Sequence, residues 1–507
     1  MSIKKALLLI AVPALLVSCG DFGDINENPN LTAKPETKYL FLGAEQYADY
    51  FCWNNNYNPW TQLYPQYISE RANVQFTKFS IKTNACGIIY RHPIQNLDRI
   101  IQMNTDEKQK SDASVFLFGS SNNQIAMAKT LKAFFYMHVT DVWGMTPYFE
   151  AERAQNESLF KPKYDTQADI YADLDKQLQE AYAQFDNGYI DGEYEVIFGG
   201  DMSKWKKLNA SIRMMLAIKL ADIDPNNGKA RFAKAYADGG IVDNADNMVR
   251  PYLNENASAN PLYINIVIDG RKDFAPSNTL IDQLLALKDP RVAAYATSNR
   301  EGKFAGWPFG HTSEEVRELK QLPLSEFPER YWKQNAPVTV ISAAYILSLQ
   351  AEAALRGWIG ADYKALYAEA IQKSFEDNGI FTVGLLEKVE SETRAVLEPN
   401  CNVATYVAQP EVALTGDVTT DMEKIFLQRW LGNYMQDGTQ AWCDWRRSNI
   451  PNIKPGKVSP GLKVLPERMM YMPDDYEANR KNYDEAIKLQ GENAITTRVW
   501  WDVKANN

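Results

Sequence analysis

Apolar residues recur every three or four positions along several long stretches of this chain, which is the spacing of one face of an α-helix. The pattern is clearest in residues 127–143, 167–185 and 201–223. In the second of these stretches, the apolar face consists of Ile170, Leu174, Leu178 and Ala181. The chain is therefore expected to build its core from amphipathic helices.

A further helical pattern predicts a hairpin in the second half of the chain. Residues 339–358 and 362–379 each predict a helix, and the short segment Gly357–Ala361 connects them. The 34 residues Ile346–Gly379 have the length of a tetratricopeptide repeat, in which stacked helix pairs share one core. The repeat signature does not recur at a fixed period. The predicted fold class is therefore all-α dominated, with tetratricopeptide-like helical hairpins.

Residues from about 242 to 335 are dense in Pro, Gly, Asn and aromatic residues, a composition typical of long irregular loops. Within this region, YINIVID at 263–269 is the best candidate for a strand, because it combines β-branched residues with an aromatic residue. Ordered long loops commonly carry binding residues. We therefore expect minor β structure and a loop-rich insertion at about 242–335, within one helical domain of residues 37–507.

The strongest apolar run of the chain stands at its start. Two lysines precede the run Ala6–Val17, an order typical of a secretory signal, and the run is shorter than the roughly 20 apolar residues of a membrane-spanning helix. It ends in Leu-Val-Ser-Cys at 16–19, which resembles the lipobox of bacterial lipoproteins. Residues 1–18 are therefore predicted to be a lipoprotein signal peptide and Cys19 the lipid attachment site. Residues 19–36, rich in Gly, Asn, Asp and Pro, are predicted to form a flexible leader.

The composition narrows the class of protein. With 507 residues, 45% of them apolar and 12% aromatic, the chain is long enough to bury a substantial core. A formal net charge of −10 argues against a general nucleic-acid-binding protein, because such a protein needs a basic surface to displace counterions from phosphate. No second apolar stretch approaches membrane length. We therefore expect attachment to a membrane through the N-terminal lipid only.

Cysteines and histidines indicate neither a metal centre nor a cofactor site. No C-x-x-C pair occurs, and no two histidines stand four residues apart as a helical zinc pair would. His138, among apolar neighbours, is interpreted as a core histidine. After lipidation of Cys19, four cysteines remain, and they can be free or paired: Cys52, Cys86, Cys401 and Cys443. The chain contains many carboxylates, so the sequence does not exclude the pair of carboxyl groups that a glycoside hydrolase uses.

Two aromatic clusters are candidates for ligand binding, because aromatic faces stack on sugar rings while planar polar groups bind hydroxyls. The first, residues 50–67, surrounds three consecutive asparagines, and its candidate ligand-binding residues are Trp53, Tyr57, Trp60 and Tyr64. Trp60 and Tyr64 are equally compatible with the buried face of a helix, whereas Trp53 and Tyr57 are expected to be exposed. The second cluster, residues 302–311, places Trp307 and Phe309 among glycines, and a loop that defines the fold is the alternative interpretation.

Asp141 and the segment 428–449 are interpreted mainly as parts of the fold. Asp141 is expected to bond to local backbone near the end of its helix, which Gly144 would terminate. Residues 428–449 hold three tryptophans beside Arg446 and Arg447. Ligand stacking by this segment is one interpretation. A helix whose aromatic side is packed and whose two arginines are in solvent is the favoured one.

An ordered set of motifs resembles the SusD/RagB family of outer-membrane nutrient-binding lipoproteins, in its SusD-like branch. The resemblance starts with the lipobox at Cys19 and the leader DINENPN at 24–30. It continues through segments that appear in the family's order and cover nearly the whole mature chain: 136–151, 162–181, 200–224, 275–297, 302–310, 341–357 and 465–487. Each motif alone is weakly specific, and the ordered set is strongly specific.

The resemblance implies a tetratricopeptide-like fold that partners a SusC-like TonB-dependent transporter in the outer membrane. It further implies capture of oligosaccharides, or of peptides in some members, at the cell exterior, and delivery without catalysis. No cofactor, metal or nucleic acid is implied. Two alternatives stay open from the residues alone: a surface-anchored glycoside hydrolase, and a helical-repeat scaffold or adhesin without a small ligand.

Overall fold

Long α-helices form most of the structure, so the predicted all-α fold class is confirmed. The computed structural model describes residues 34–53, 59–72, 74–79, 83–459, 461–462 and 465–504. The helices of nine or more residues in this part of the chain are α1 (Thr37–Glu45), α2 (Gln95–Thr105), α3 (Ser121–Trp143), α4 (Gln167–Gln184), α5 (Met202–Ile218), α6 (Pro225–Ala237), α7 (Asn278–Ala286), α8 (Ala343–Leu355), α9 (Tyr363–Asp377), α10 (Val418–Gly432), α11 (Gly438–Ser448) and α12 (Arg480–Gln490).

Shorter helical segments of three to seven residues connect the long helices. They are Trp60–Leu63, Ala85–Ile89, Tyr90–Ile94, Gln109–Ser111, Ala113–Phe116, Ala154–Glu157, Asn244–Asp246, Asn256–Ser258, Pro261–Tyr263, Ile264–Ile268, Val292–Tyr295, Val316–Leu319, Glu329–Tyr331, Ser391–Leu397, Glu398–Cys401, Val403–Val407 and Pro473–Ala478. Many of them fall in the region predicted to be rich in loops, which is therefore irregular but ordered.

Small polar residues begin several long helices, because their side chains accept hydrogen bonds from N–H groups of the first turn. Ser120 Oγ accepts from the backbone N–H of the third residue of α3 at 3.3 Å. Thr166 Oγ1 does the same for α4 at 3.2 Å, and Ser342 Oγ for α8 at 3.3 Å. These caps set the starts of α3, α4 and α8 at residues 121, 167 and 343, where the apolar periodicity alone predicted 127, 167 and 339.

Gly144 ends α3, as expected from the sequence. Its φ of +79° lies in a region that residues with a Cβ rarely adopt. A Cβ at this position would lie 2.0 Å from Gln490 Oε1, at the end of α12. The glycine therefore allows both the sharp end of α3 and the close approach of the C-terminal helix.

The long helices pack against one another in neighbouring pairs. α3 packs against α2 and α4, α5 packs against α4 and α6, and α8 forms a hairpin with α9 while its other side contacts α10. Residues of the predicted apolar faces, such as Leu131, Leu174, Leu208 and Ile346, are at most 1% exposed. The helix pairs therefore share one hydrophobic core.

The described strands are short and form two antiparallel pairs. They are β1 (Ile68–Glu70), β2 (Met248–Arg250), β3 (Phe274–Pro276) and β4 (Val338–Ile341), with β1 paired to β3 and β2 to β4. The prediction of a strand at 263–269 is wrong, because this segment is helical. Asn260 Oδ1 caps it by accepting from Leu262 N–H at 2.8 Å, and Pro261 occupies the first helical position. The hydrogen bond that caps this helix thus outweighs the preference of β-branched residues for strands.

Residues 428–449 span the end of α10, a turn and α11 instead of the single helix expected. Arg446 and Arg447 are buried, which corrects the expectation that they face solvent. They are 0% and 3% exposed. Arg446 donates to the carbonyl oxygens of Asp141 and Glu467, both at 2.9 Å, and its guanidinium lies 3.9 Å from the ring centre of Trp442. The acceptors come from distant parts of the chain, so the local sequence carries no sign of this burial.

A buried ionic network joins α8, α10 and α11. Glu352 pairs with Arg429 Nη1 at 2.8 Å and with Arg447 Nη2 at 2.6 Å, and Asp444 contacts both arginines at 3.1 Å. Burial alone would raise the pKa of Glu352, but Arg447 and Arg429 outweigh it and hold that pKa well below its usual range. Glu352 is therefore a buried carboxylate anion that links three helices.

A second buried polar cluster surrounds Asp141, whose carboxylate does not bond to local backbone as expected. It pairs with Lys219 Nζ at 2.5 Å and accepts from Trp501 Nε1 at 3.2 Å. Burial would raise the pKa of Asp141, but Lys219 and the hydroxyl group of Tyr171 together outweigh burial and lower it. The interpretation of His138 as a core histidine is confirmed, since its ring lies 2.8 Å from Phe134 O and 2.6 Å from Asp437 Oδ2.

Candidate functional site

An open cleft of about 310 Å³ is the strongest candidate for a ligand site among the described residues. We call it the main cleft. Its lining combines three aromatic residues, six polar residues and four apolar residues, which is the mixture that small-molecule sites use. They are Trp53, Tyr331 and Tyr434, then Asn260, Arg330, Thr339, Asp377, Asn378 and Gln436, and finally Leu262, Pro337, Val338 and Met435.

Segments far apart in the sequence meet at the main cleft. Asp377 is the last residue of α9, and residues 434–436 form the turn between α10 and α11. Gln62 ties this turn to the segment that carries Trp53, because its Nε2 donates to Gln436 O at 2.9 Å and to Cys52 O at 2.8 Å. One buried amide thus holds two walls of the cleft in register.

The aromatic residues of the main cleft form a connected set of rings. Tyr331 and Tyr434 meet edge to face with ring centres 5.7 Å apart, a favourable geometry for aromatic pairs. Tyr434 also contacts Tyr295 at 4.6 Å, which anchors it in the core. Tyr331 is partly exposed, whereas Trp53 and Tyr434 are each 2% exposed. Tyr331 is therefore the ring most available to a ligand.

Arg330 and Asp377 place opposite charges at the main cleft without pairing their charged groups. The Arg330 guanidinium donates to the backbone oxygens of Asn378 at 2.6 Å and Asp377 at 3.1 Å. The Asp377 carboxylate receives only long contacts, from Gln436 Nε2 at 3.5 Å and Asn247 Nδ2 at 3.4 Å. Burial raises the pKa of Asp377, and Arg330 partly opposes the rise. Asp377 thus keeps acceptor capacity for ligand hydroxyl groups.

Three polar atoms at the main cleft are buried without a hydrogen-bond partner among the described groups. They are Trp53 Nε1, Tyr331 Oη and Gln436 Oε1. Buried polar atoms without partners are rare in folded proteins, and each one costs free energy. A ligand that offers both donors and acceptors can recover part of this cost after small side-chain adjustments.

The sequence-predicted residues of the first aromatic cluster separate in the structure. Trp53 lines the main cleft, but the expectation that it is exposed is wrong. Tyr57 lies outside the described residues. Trp60 and Tyr64 are 0% exposed and pack on Trp442, with ring centres 6.2 and 5.1 Å away. Ligand contact at Trp60 and Tyr64 does not fit this burial, because neither ring offers surface to a ligand.

The second predicted cluster does not reach the main cleft. Trp307 is 2% exposed, and the guanidinium of Arg71 covers its ring at 4.7 Å. Phe309 is partly exposed and packs against Phe79 with ring centres 6.3 Å apart. Ligand contact by these two residues stays a prediction, and the alternative of a fold-defining loop agrees with the burial of Trp307.

Other candidate chemistry is limited within the part of the chain that the structure describes. Cys52, Cys86, Cys401 and Cys443 are free thiols. Burial raises the pKa of the Cys443 thiol to about 12, which makes it unreactive at neutral pH. Within the described ranges, His, Cys, Asp and Glu side chains form no group of three or more that could hold a metal ion. None of the helices described here is both long and apolar enough to cross a membrane.

Comparison with solved structures shows that the fold is shared. A chitin-binding protein has 24% identity and a TM-score of 0.75, over 93% of this chain and 100% of that chain. A chitin-binding SusD homologue from Flavobacterium johnsoniae has 18% identity and a TM-score of 0.73, over 92% and 99%. A SusD homologue from Bacteroides fragilis has 22% identity and a TM-score of 0.72, over 91% and 99%. These likenesses establish the fold alone.

Sequence comparison gives the family. Curated protein sequences include no match to this chain. The model of the SusD-like family, described as starch-binding and associating with the outer membrane, matches residues 29–472. This match spans most of the chain and agrees with the ordered motifs noted above. The protein therefore belongs to the SusD-like branch of the SusD/RagB family of nutrient-binding proteins, a family associated with the outer membrane.

Proposed function

We propose that this protein is a cell-surface lipoprotein that captures oligosaccharides in the main cleft and delivers them to a SusC-like TonB-dependent transporter. Family membership supports a role in nutrient binding at the outer membrane. Two proteins of the same fold that are named as chitin-binding support a glycan as the ligand. The transporter partner and the delivery step rest on the family resemblance.

The observation that carries the proposal is the combination of groups at the main cleft. Tyr331 offers a partly exposed ring for stacking on the apolar face of a sugar. Asp377, Asn378 and Gln436 surround it with planar polar groups, which bind pairs of neighbouring hydroxyls. A cavity of about 310 Å³ holds a short oligosaccharide end better than a large apolar ligand, given how much of its lining is polar.

The same lining favours binding over hydrolysis. Glycoside hydrolases use two carboxyl groups that flank the scissile bond. Asp377 is the one carboxylate among the residues that line the main cleft. The other charged residue of the cleft lining is Arg330, which cannot act as a proton donor near neutral pH. We therefore propose a binding protein without catalysis.

Binding of neutral oligosaccharides to the full-length protein in detergent tests the proposal. Isothermal titration with chito-, malto- and cello-oligosaccharides is expected to give saturable binding of at least one series. Tyr331→Ala is expected to weaken that binding by about 10- to 100-fold, because stacking of one sugar contributes roughly 1–3 kcal/mol. Asp377→Asn, which keeps the shape but removes the anion, is expected to weaken it by about fivefold.

A matched control separates binding from folding. Phe381→Ala removes a half-exposed ring that follows α9 and does not line the main cleft, and it is expected to leave affinity unchanged. Thermal unfolding of each variant checks that the fold is retained. Absence of binding for every neutral and acidic saccharide tested, or unchanged affinity in folded Tyr331→Ala, would contradict the proposed site.

Lipid anchoring is tested at Cys19, which lies outside the described residues. Cys19→Ala is expected to move the protein from the membrane fraction to the soluble fraction, because acyl chains contribute about 0.8 kcal/mol per buried methylene. Fractionation and metabolic labelling with a fatty acid measure the change. Retention of the variant in the membrane with the label attached would reject the lipoprotein assignment.

Co-purification of a large barrel protein with the wild type tests the transporter partner.

A further inference from the structure

A second cavity, of about 250 Å³, lies beside the main cleft and differs from it in charge. Its lining includes Arg71, Lys272, Glu326, Phe274 and Trp332. The two linings are neighbours, because the ring of Phe274 contacts the ring of Trp53 with centres 5.4 Å apart. Tyr331 of the main cleft also precedes Trp332 directly. A ligand of several sugar units that leaves the main cleft can therefore extend toward the second cavity.

The charged groups of the second cavity do not balance. Glu326 pairs with Arg71 Nη2 at 3.0 Å through Oε1 and with Lys272 Nζ at 3.0 Å through Oε2. Two cations thus share one carboxylate. The nearby Arg271 pairs with Asp273 at 2.8 Å and adds no net charge. The cavity therefore carries one positive charge in excess, on a protein whose formal net charge is −10.

Arg71 is held in a fixed position before any ligand arrives. It follows β1 directly, and its backbone N–H donates to Asp273 O at 2.7 Å. Its guanidinium lies over the ring of Trp307 at 4.7 Å, and its side chain is 15% exposed. Arg71 Nε is buried and has no hydrogen-bond partner in the described structure. A preformed guanidinium loses little side-chain entropy on binding, and its planar donors match an anionic group.

Lys272 and the aromatic residues complete the cavity. The Lys272 side chain is 56% exposed, so its ammonium group can leave Glu326 and reach a ligand. Phe274 belongs to β3, and Trp332 is oriented by a hydrogen bond from its Nε1 to Phe327 O at 3.1 Å. These rings provide the apolar wall that a sugar ring needs, next to the two cations.

We propose that the second cavity binds a negatively charged substituent, a carboxylate or a sulfate, on the oligosaccharide that occupies the main cleft. This inference rests on the proposed function of the main cleft and specifies its substrate class as acidic glycans. An anion in the cavity neutralises the excess charge and gains charge-assisted hydrogen bonds. A neutral sugar leaves the charge excess in place, so the second cavity favours the charged ligand.

Matched oligosaccharide pairs test the charge preference with the full-length protein in detergent. Suitable pairs are oligogalacturonate with its methyl ester, hyaluronan hexasaccharide with its carboxyl-reduced form, and chondroitin hexasaccharide with and without sulfate. In at least one pair, the more highly charged member is expected to bind about fivefold or more tightly. Raising the salt concentration to about 0.5 M is expected to reduce that preference by screening. Equal affinities within every pair would overturn the inference.

Substitutions test whether the preference for charged over neutral oligosaccharides arises in the second cavity. Lys272→Gln is expected to reduce the charged-over-neutral ratio by about threefold, since a partly exposed charge pair is screened by solvent and contributes little. Lys320→Gln removes an exposed lysine elsewhere and is expected to leave the ratio unchanged. Arg71→Gln is expected to abolish the preference, with circular dichroism used to confirm folding. A preference that survives both Lys272→Gln and folded Arg71→Gln would contradict the assignment.

The outcomes distinguish failure of this inference from failure of the proposed function. Saturable binding of neutral oligosaccharides that depends on Tyr331, without any charge preference, would retain the proposed function and reject the second cavity as an anion site. Absence of binding for all neutral and charged saccharides would reject both. A charge preference that Lys272→Gln removes while Tyr331→Ala leaves affinity intact would place the ligand in the second cavity alone and reject the joint site.

Discussion

Glu352→Gln is expected to lower the free energy of unfolding by about 3–5 kcal/mol, the typical effect of breaking a buried ion pair from one side. The substitution leaves Arg429 and Arg447, which are 3% exposed, without their shared anion between α8, α10 and α11. The remaining carboxylate of Asp444 cannot neutralise both. Chemical denaturation monitored by circular dichroism measures the change.

The control for this prediction is Glu369→Gln on the neighbouring helix α9. Glu369 is exposed, so its substitution is expected to change stability by less than about 0.5 kcal/mol. Arg447 and Arg429 hold the pKa of Glu352 below its usual range, so the contribution of Glu352 to stability is expected to be fully present at neutral pH. Equal stability of Glu352→Gln and the wild type would show that the network does not support the fold.

Asp502→Asn is expected to stabilise the protein, and the gain is expected to grow with pH. Asp502 is 4% exposed, and its carboxyl group lies beside the carboxyl group of Glu467. Burial, together with the adjacent Glu467, raises the pKa of Asp502 to about 8. A carboxyl group whose pKa rises on folding destabilises the folded state above its unfolded pKa. This cost therefore begins near pH 4 and increases up to about pH 8.

The expected gain for Asp502→Asn is about 2–3 kcal/mol at pH 8 and close to zero at pH 4. Linkage allows at most roughly 1.4 kcal/mol for each pH unit above the unfolded pKa, and the expected gain stays below that limit. Unfolding free energies at several pH values measure it. Asp474→Asn, at an exposed carboxylate, is expected to show no such trend. A gain that is the same at pH 4 and pH 8 would show that packing, and not protonation, causes it.

The candidate site was only partly predictable from sequence. Trp53 was predicted as a ligand residue and lines the main cleft, although it is nearly buried. Tyr331 lies within the loop-rich region that the composition marked as a candidate for function. Asp377 and Gln436 gave no signal, because Asp377 ends α9, Gln436 follows α10, and the sequences of both helices are ordinary. They belong to the cleft only because the ends of α9 and α10 meet there.

The environments of the buried polar groups were also not predictable from the sequence. The helical periodicity around Arg446 and Asp141 gave no sign of their environment, because their partners are as distant as Glu467 and Lys219. A charged side chain on the surface of a helix is usually in contact with solvent. This expectation is wrong where another helix that carries charged side chains packs against that surface. The α8, α10 and α11 network is therefore a property of packing.

The amino-acid sequence by itself determined the helical fold class, the approximate positions of five of the twelve long helices described here, and the family. Helical periodicity and small polar caps act within a few residues, so they are visible in the chain. The tertiary structure alone decided which aromatic residues are buried, which charges pair and which residues line the two cavities. The reason is physical: burial and pairing depend on contacts between segments hundreds of residues apart, as Gln62 and Gln436 illustrate.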